Sequence, residues 1–348
     1  MPNKKFTYAF GLAALSLSLS LYAQPIQEAQ SALQRQEYGL ALRILSDAVL
    51  TGDKKARTQL SSLLINLPAP YREPTRGCTL AQMGTQDGDS MAMANLAQCL
   101  MMGLVPSNHP YSDAREVARR SYQLGDPAGG FMLYLTFVND PDNSYLLDGK
   151  PNLSAYNALA ARPIEARTNQ IEALDALAFS MSKGHMNAAL MLSTYFYETA
   201  APNSVARLRG LTSLLLRNGE KAPILSRYLQ QANSIEKLGT SKASVKGFFD
   251  AYSVALGAAT LIPSHENQKC QQLQLKTIAS GDLENPVFLP LKFKSIENSY
   301  LTQGSWKELW KFNGCGKDIP VTVLFKADGW GGVKYSAEVA KPELQLGN

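Results

Sequence analysis

Histidines are the first place to look for chemistry in this sequence, and it has only three: His109, His185 and His265. His109 lies in an Asn-His-Pro stretch, His185 at a predicted helix cap and His265 in a predicted linker between domains. None has a partner at the spacing of an H-E-x-x-H metal site or a G-x-S-x-G nucleophile motif. A P-loop and a G-x-G-x-x-G fingerprint are also missing from the sequence. We therefore predict a protein that is not an enzyme, without catalytic residues, a metal site or a cofactor.

Cysteines provide the second possible chemistry. Cys78 lies ten residues before Gly88, and Cys99 lies eleven after it. If Gly88 is the turn of a helical hairpin, the two thiols stand at nearly the same height on antiparallel helices, which suits a disulfide. Cys270 and Cys315 would then pair in the C-terminal region. The alternatives are four buried thiols or another of the three possible connectivities. Since no C-x-x-C is present, a zinc site or a thioredoxin-like motif is not expected.

Aromatic residues near the C-terminus could bind a sugar or a peptide. Trp306, Trp310 and Phe312 share one parity along a predicted strand, so they lie on one face of a sheet. That arrangement is also how a small sheet forms its core, and we favour the core interpretation. Trp330, in an Asp-Gly-Trp-Gly-Gly turn, is the better candidate for contact with a ligand.

The elements that must position these residues show a repeat. Four stretches carry a glycine, a small residue four positions later and a leucine four beyond that. The first three glycines are 36 and 37 residues apart and the fourth follows after 59; they are Gly52, Gly88, Gly125 and Gly184. A small residue also stands four positions before each glycine. Such a period is typical of a stacked array of repeats.

Each repeat reads as two antiparallel helices. The glycine ends the first helix, where a left-handed backbone suits a residue without Cβ. Asp53, Asp89 and Asp126 follow the first three glycines and can cap the second helix, and His185 takes that place in the fourth. One such pair cannot bury its apolar face alone, so we expect the pairs to stack and share a core.

With its A-x-x-x-x-x-x-A and G-[DN]-x-x-A patterns, the chain resembles the Sel1-like repeat family, relatives of the tetratricopeptide repeats. The resemblance covers roughly residues 28–230 and is carried by stretches such as ALRILSDAVLTGDKKARTQLSSLL (41–64) and AREVARRSYQLGDPAGGFMLYL (114–135). The chain departs from the family where Gly129 replaces alanine and His185 replaces aspartate. A degenerate fifth unit centres on Gly219, with Pro223 in the place of alanine.

This resemblance implies a function in binding. Arrays of this kind offer a groove to a protein or peptide, so we expect a non-enzymatic adaptor or scaffold. Exposed positions on the inner helices are predicted at Lys55, Arg57, Gln59, Asn95 and Gln98. The alternative is a cell-wall or glycan-binding protein, or a weak envelope hydrolase.

The N-terminus is typical of a secretory signal peptide. Lys4 and Lys5 precede an apolar run over 10–21, and Leu21-Tyr22-Ala23 suits cleavage before Gln24. Residues 1–23 would then be removed and the protein would be periplasmic or secreted. The alternative is a membrane anchor, for which the run is short.

Composition changes near residue 263 and divides the predicted mature chain. Residues 24–262 read as an α-solenoid of helix-turn-helix repeats, and residues 263–348 as a small antiparallel β domain. Its predicted strands have alternating apolar residues, among them 270–278, 291–297, 306–312, 319–327 and 331–339. The mature chain would have 32 basic and 29 acidic side chains, a net charge of +3 that gives no reason to expect nucleic acid.

Overall fold

The structure is a computed structural model that describes residues 24–141, 146–147, 150–151, 167–265, 273–314 and 316–340. The predicted signal peptide, Cys270 and Cys315 lie outside the described residues. The chain is mainly helical with a small antiparallel sheet near the C-terminus, as predicted. Its contacts form two compact units, of which the first ends at Asp140 and the second begins at Pro141.

In the first unit, the described residues form helices that follow one another in hairpins. Buried alanines and leucines of α1, α2 and α3 make one continuous core. The helices are α1 (24–34), α2 (Tyr38–Leu50), α3 (Lys54–Asn66), α4 (Pro74–Gln86), α5 (Ser90–Met101), α6 (Pro110–Gln123) and α7 (Pro127–Val138).

Each glycine of the repeat closes a hairpin in a left-handed conformation. Gly52, Gly88 and Gly125 have φ of 90°, 81° and 85°, and Gly184 has 84°. A residue with a side chain is strained at such angles, which explains why glycine occupies each turn. The degenerate fifth turn, at Gly219, has the same geometry with φ of 86°.

The residue after the glycine ends one helix and begins the next. The Asp53 amide donates to the Ala48 carbonyl (3.1 Å), four positions before the glycine, while the Asp53 carboxylate accepts from the amides of Lys55 and Ala56. The first bond satisfies a free carbonyl at the end of α2 and the others satisfy free amides at the start of α3. Asp89 and Asp126 make the corresponding bonds.

Successive hairpins are packed through their second helices. In the first unit α3 contacts α5, α5 contacts α7, and each second helix also contacts the first helix of the next pair. The small residues allow close approach. A Cβ on Gly84 would lie 2.5 Å from that of Ala92, and one on Gly129 would lie 2.1 Å from the Ser121 hydroxyl oxygen.

A disulfide joins α4 to α5. Cys78 and Cys99 are bonded with their Cα atoms 5.7 Å apart, and both are buried. The prediction of a bond across the Gly88 hairpin is therefore confirmed.

The second unit contains five described helices and the sheet. A short antiparallel pair, β1 (Leu146–Leu147) and β2 (Lys150–Pro151), falls in the stretch that interrupts the repeat. The helices are α8 (Thr168–Ser182), α9 (Met186–Glu198), α10 (Ser204–Arg217), α11 (Pro223–Glu236) and α12 (Val245–His265). The strands of the sheet are β3 (Gln274–Ser280), β4 (Glu284–Phe288), β5 (Leu301–Gly314), β6 (Lys317–Ala327) and β7 (Val333–Val339).

The sheet is antiparallel in the order β3-β5-β6-β7, and β4 pairs with the first part of β5. Its inner face is mostly apolar, with Glu308 as its one buried acid among the described residues, and is covered by α12. Phe248 of α12 packs on Trp310 with ring centroids 4.6 Å apart, and Trp306 stacks on Phe325 at 5.1 Å. Trp306, Trp310 and Phe312 are all buried, in agreement with the core interpretation.

Two details differ from the sequence prediction. The stretch 291–297 forms turns rather than a strand, because the Lys292 amide donates to Asp175 of α8 instead of to a neighbouring strand, and Leu291 and Ile296 are both buried although they differ in parity. The strand β4 (Glu284–Phe288) is also absent from the predicted strands. The contacts group α12 with the sheet, because α12 packs against β5, β6 and β7. No helix within the described ranges is long and apolar enough to cross a membrane.

Candidate interaction surface

The histidines contribute to backbone structure where the structure describes them. His185 caps α9 by accepting from the Ala188 amide at 3.4 Å, and His109 precedes α6, where its carbonyl accepts from the Asp113 amide at 2.9 Å. His265 is the last residue of α12. Among the described residues, no group of three or more His, Cys, Asp or Glu side chains could hold a metal ion.

The most extensive repeated surface lies on the second helices of the first unit. Positions 3, 7, 10 and 14 after each repeat glycine fall on one side of α3, α5 and α7, opposite the buried alanines and leucines. We call these twelve residues the second-helix face. They are Lys55, Gln59, Ser62, Asn66, Met91, Asn95, Gln98, Met102, Ala128, Met132, Leu135 and Asn139. All except Asn95 are exposed or half-buried.

The second-helix face carries a single charge, that of Lys55. Amide side chains supply five of its twelve residues, and three methionines and a leucine supply most of its apolar surface. Amides offer both donors and acceptors. Methionine side chains adapt their shape to different partners. The face therefore suits an uncharged polypeptide surface better than a polyanion.

Contacts between neighbouring helices order this face. The Gln98 amide donates to the Asn66 side-chain oxygen at 2.8 Å, and the Gln59 amide contacts the Met91 sulfur at 3.6 Å. Both contacts join α3 to α5. They hold these side chains in a defined arrangement, which lowers the entropy lost when a partner binds.

Of the positions predicted to be exposed, one is buried and another is held in an ion pair. Asn95 is buried and donates to the Thr58 carbonyl and the Ser61 hydroxyl, both at 3.3 Å, because α5 packs closely on α3. Arg57 forms an ion pair with Asp87, at the turn that follows α4. Of the five predicted positions, Lys55, Gln59 and Gln98 remain on the accessible face.

The ion pair of Arg57 belongs to a small charged group between neighbouring repeats. Lys54 also donates to Asp87, at 2.9 Å. Hydrogen bonds from Lys54 and Arg57 lower the pKa of the Asp87 carboxyl below its ordinary value. This group connects α3 to the next hairpin and lies beside, not on, the second-helix face.

Trp330, the predicted ligand contact, lies in a turn that is held by its own unit. The Arg167 guanidinium lies 5.6 Å from the centre of the Trp330 ring, and the Arg167 side chain also donates to the Gly329 carbonyl at 2.7 Å. The Asp328 carboxylate accepts from the Trp330 amide at 2.7 Å. Trp330 is half-buried, and the Arg167 guanidinium lies over its ring.

Glu308 is a buried acid that the sequence prediction missed. One carboxylate oxygen accepts from the Ser241 hydroxyl, the Lys242 amide and the Trp306 indole, each at 2.9 Å. The other oxygen accepts from the Trp310 indole at 3.0 Å. The sequence did indicate the burial of Glu308, because in Trp-Lys-Glu-Leu-Trp the glutamate lies two residues from each tryptophan and therefore on the same face of the strand. With four donors and no exposed surface, this carboxylate is a structural centre rather than a reactive group.

A second buried acid fixes the segment that does not form the predicted strand. Asp175 of α8 accepts from the Lys292 amide at 2.8 Å. Burial raises the pKa of the Asp175 carboxyl, and hydrogen bonds from the backbone of Lys292 and Phe293 oppose this shift.

A cleft of about 420 Å³ also opens on the second unit, between α10, α11 and the segment that follows α11. Ser241 in its lining donates to Glu308, and Glu236 is paired with Arg209 at 2.8 Å. Its described lining contains no histidine, lysine or cysteine beside the hydroxyls of Thr240 and Ser241.

Comparison with known proteins identifies no relative. Neither a protein-family model nor a curated protein matches the chain. Among solved structures, the crystal structure of immunity protein Pa5087 from Pseudomonas aeruginosa matches 60% of this chain and 82% of that chain. The sequence identity is 16% and the TM-score is 0.29.

Proposed function

We propose that the chain is an exported, non-enzymatic adaptor whose helical hairpins form a Sel1-like α-solenoid and bind a protein or peptide partner. The observation that carries the proposal is the second-helix face, which extends over three successive hairpins with one charged residue among twelve. A surface of this kind, rich in amides and methionines, suits main-chain groups and apolar side chains of a polypeptide.

The repeated turns support the Sel1-like arrangement. Five hairpins share a glycine with φ between 81° and 90°, and in the first four the next residue caps the second helix. Export is proposed on the predicted signal peptide, and a disulfide between Cys78 and Cys99 suits an oxidising compartment.

The test is recovery of a partner from the native envelope by crosslinking, purification and mass spectrometry. In the variant Met91→Glu/Gln98→Glu, two carboxylates are placed on the second-helix face. In the matched control Thr79→Glu/Gln82→Glu, the same charges are placed on exposed positions of α4 outside that face.

We expect a stoichiometric protein partner with the wild type and the control, and a loss of at least about tenfold with the face variant, since a buried unpaired carboxylate opposes binding. Circular dichroism must show that both variants remain folded. Equal recovery with both variants would refute the proposed face. Recovery of the protein alone or with cell-wall fragments would instead favour the glycan-binding alternative.

A further inference from the structure

A second surface with a distinct chemistry lies on the outer face of the sheet. Side chains of β5, β6 and β7 that point away from α12 include four exposed lysines. We call this surface the lysine face, and its lysines are Lys307, Lys311, Lys326 and Lys334. Within the described residues, none of these four side chains forms an ion pair or a hydrogen bond.

The register of the strands brings like charges together. Lys326 of β6 lies directly opposite Lys334 of β7, and Lys307 of β5 lies diagonally from Lys326, since Lys307 pairs with Leu324. Directly opposed residues have Cβ atoms about 5 Å apart, and like charges at this distance destabilise the sheet. An anionic surface that covers the face would relieve this repulsion.

An apolar side chain stands among these lysines. Leu324 is 41% exposed, although it lies in the middle of β6. It lies opposite Lys307 of β5 and Ser336 of β7, and Lys326 is the next residue on the same face of β6. Acids occupy the margins: Asp318 at the start of β6, Glu338 towards the end of β7 and Glu284 on β4. The centre of the face is therefore basic and partly apolar.

We propose that the lysine face binds the surface of a membrane rich in anionic phospholipid. An exposed face that extends over three neighbouring strands suits a planar partner. Long lysine side chains can reach the phosphate groups while Leu324 enters the boundary between headgroups and acyl chains. The opposite charges of the lysines and the lipids supply the attraction.

The experiment is sedimentation of the mature protein with vesicles. One set contains equal parts of phosphatidylglycerol and phosphatidylcholine, and the other contains phosphatidylcholine alone. We expect binding to the anionic vesicles only, weakened by salt. The variant Lys326→Gln/Lys334→Gln should lower the affinity about thirtyfold. The variant Leu324→Thr should weaken binding without changing its salt dependence.

The matched control is Lys221→Gln/Lys237→Gln, which removes the same charge from two exposed lysines of the second unit outside the lysine face. We expect a change of less than about threefold. An equal loss with both double variants would refute a specific face, and so would equal binding to both kinds of vesicle. Binding to polyglutamate but not to anionic vesicles would overturn the proposal in favour of an acidic protein.

Discussion

At the scale of the residue, two buried carboxylates organise the second unit. Glu308 ties the segment before α12 to the two tryptophans of β5, and Asp175 ties α8 to the turn at 291–297. Both carboxylates accept hydrogen bonds from the backbone, and Glu308 also accepts hydrogen bonds from side chains. Buried polar networks of this kind are costly to disturb, because every donor left without an acceptor loses its hydration as well.

The replacement Glu308→Gln tests this role. The amide keeps the shape of the side chain but replaces one acceptor with a donor, so at least one buried N–H loses its acceptor. We expect a loss of about 1–3 kcal/mol in the free energy of unfolding. Urea unfolding followed by tryptophan fluorescence provides the measurement.

The exposed residue Glu338 on β7 offers the matched control, since Glu338→Gln makes the same chemical change at the surface. Its effect should stay within about 0.5 kcal/mol. Equal stabilities for the two variants would show that the carboxylate of Glu308 is not the centre of the network.

At the scale of the element, the repeat depends on matched small residues across each hairpin. Gly84 faces Ala92 in the second hairpin, whereas Ser121 faces Gly129 in the third. The glycine at position 129, where the first, second and fourth repeats of this chain have alanine, is therefore explained by the larger residue opposite, and a Cβ there would also lie 2.7 Å from the Tyr122 amide nitrogen.

The variant Gly129→Ala should accordingly destabilise the protein by about 1–3 kcal/mol, although it restores the alanine of the pattern and improves helix propensity. Thermal unfolding followed by circular dichroism measures it. The control is Gly210→Ala in α10, where a Cβ would meet nothing within 4 Å. At position 210, the higher helix propensity of alanine should be the only effect, and it should stabilise the protein by up to about 1 kcal/mol.

A second element-scale test is the double variant Ser121→Gly/Gly129→Ala. It reproduces the glycine–alanine combination of the second hairpin and should regain part of the lost stability. The recovery is incomplete, because the variant also loses the hydrogen bond from Ser121 to the Ser90 carbonyl. If the double variant is no more stable than Gly129→Ala, contact with the Ser121 side chain is not the reason for the glycine.

The elements show how far the sequence can be read. The hairpin turns were predictable, because a left-handed glycine followed by a capping aspartate is a local signal. The helices of both units and the buried face of β5 were predictable from periodicity. The turn at 291–297, the burial of Asn95 and the network of Glu308 were not, since each depends on a partner distant in sequence.

At the scale of the whole molecule, the disulfide and the tryptophans report on different units. Cys78–Cys99 closes a loop in the first unit, whereas all three tryptophans lie in the second. Tryptophan fluorescence therefore reports on the second unit, whereas the helix signal of circular dichroism arises from helices of both units.

Under oxidising conditions, Cys78→Ser should lower the stability of the first unit by about 3 kcal/mol, because the unfolded chain loses the constraint of a loop of 21 residues. Under reducing conditions the variant and the wild type should melt alike. Circular dichroism provides the measurement, and tryptophan fluorescence serves as the control signal. Equal destabilisation in both conditions would show that packing of the thiol, rather than the bond, is responsible.

The packing of α12 on the sheet also determines how genetic dissection of this protein must be interpreted. A stop codon near residue 263, where composition changes, removes β3–β7 and uncovers Phe248 and the apolar side of α12. Such a product would expose a large hydrophobic surface and be a target for proteolysis and aggregation. A null phenotype from that truncation would report loss of the whole second unit, and only point substitutions can assign a role to the sheet itself.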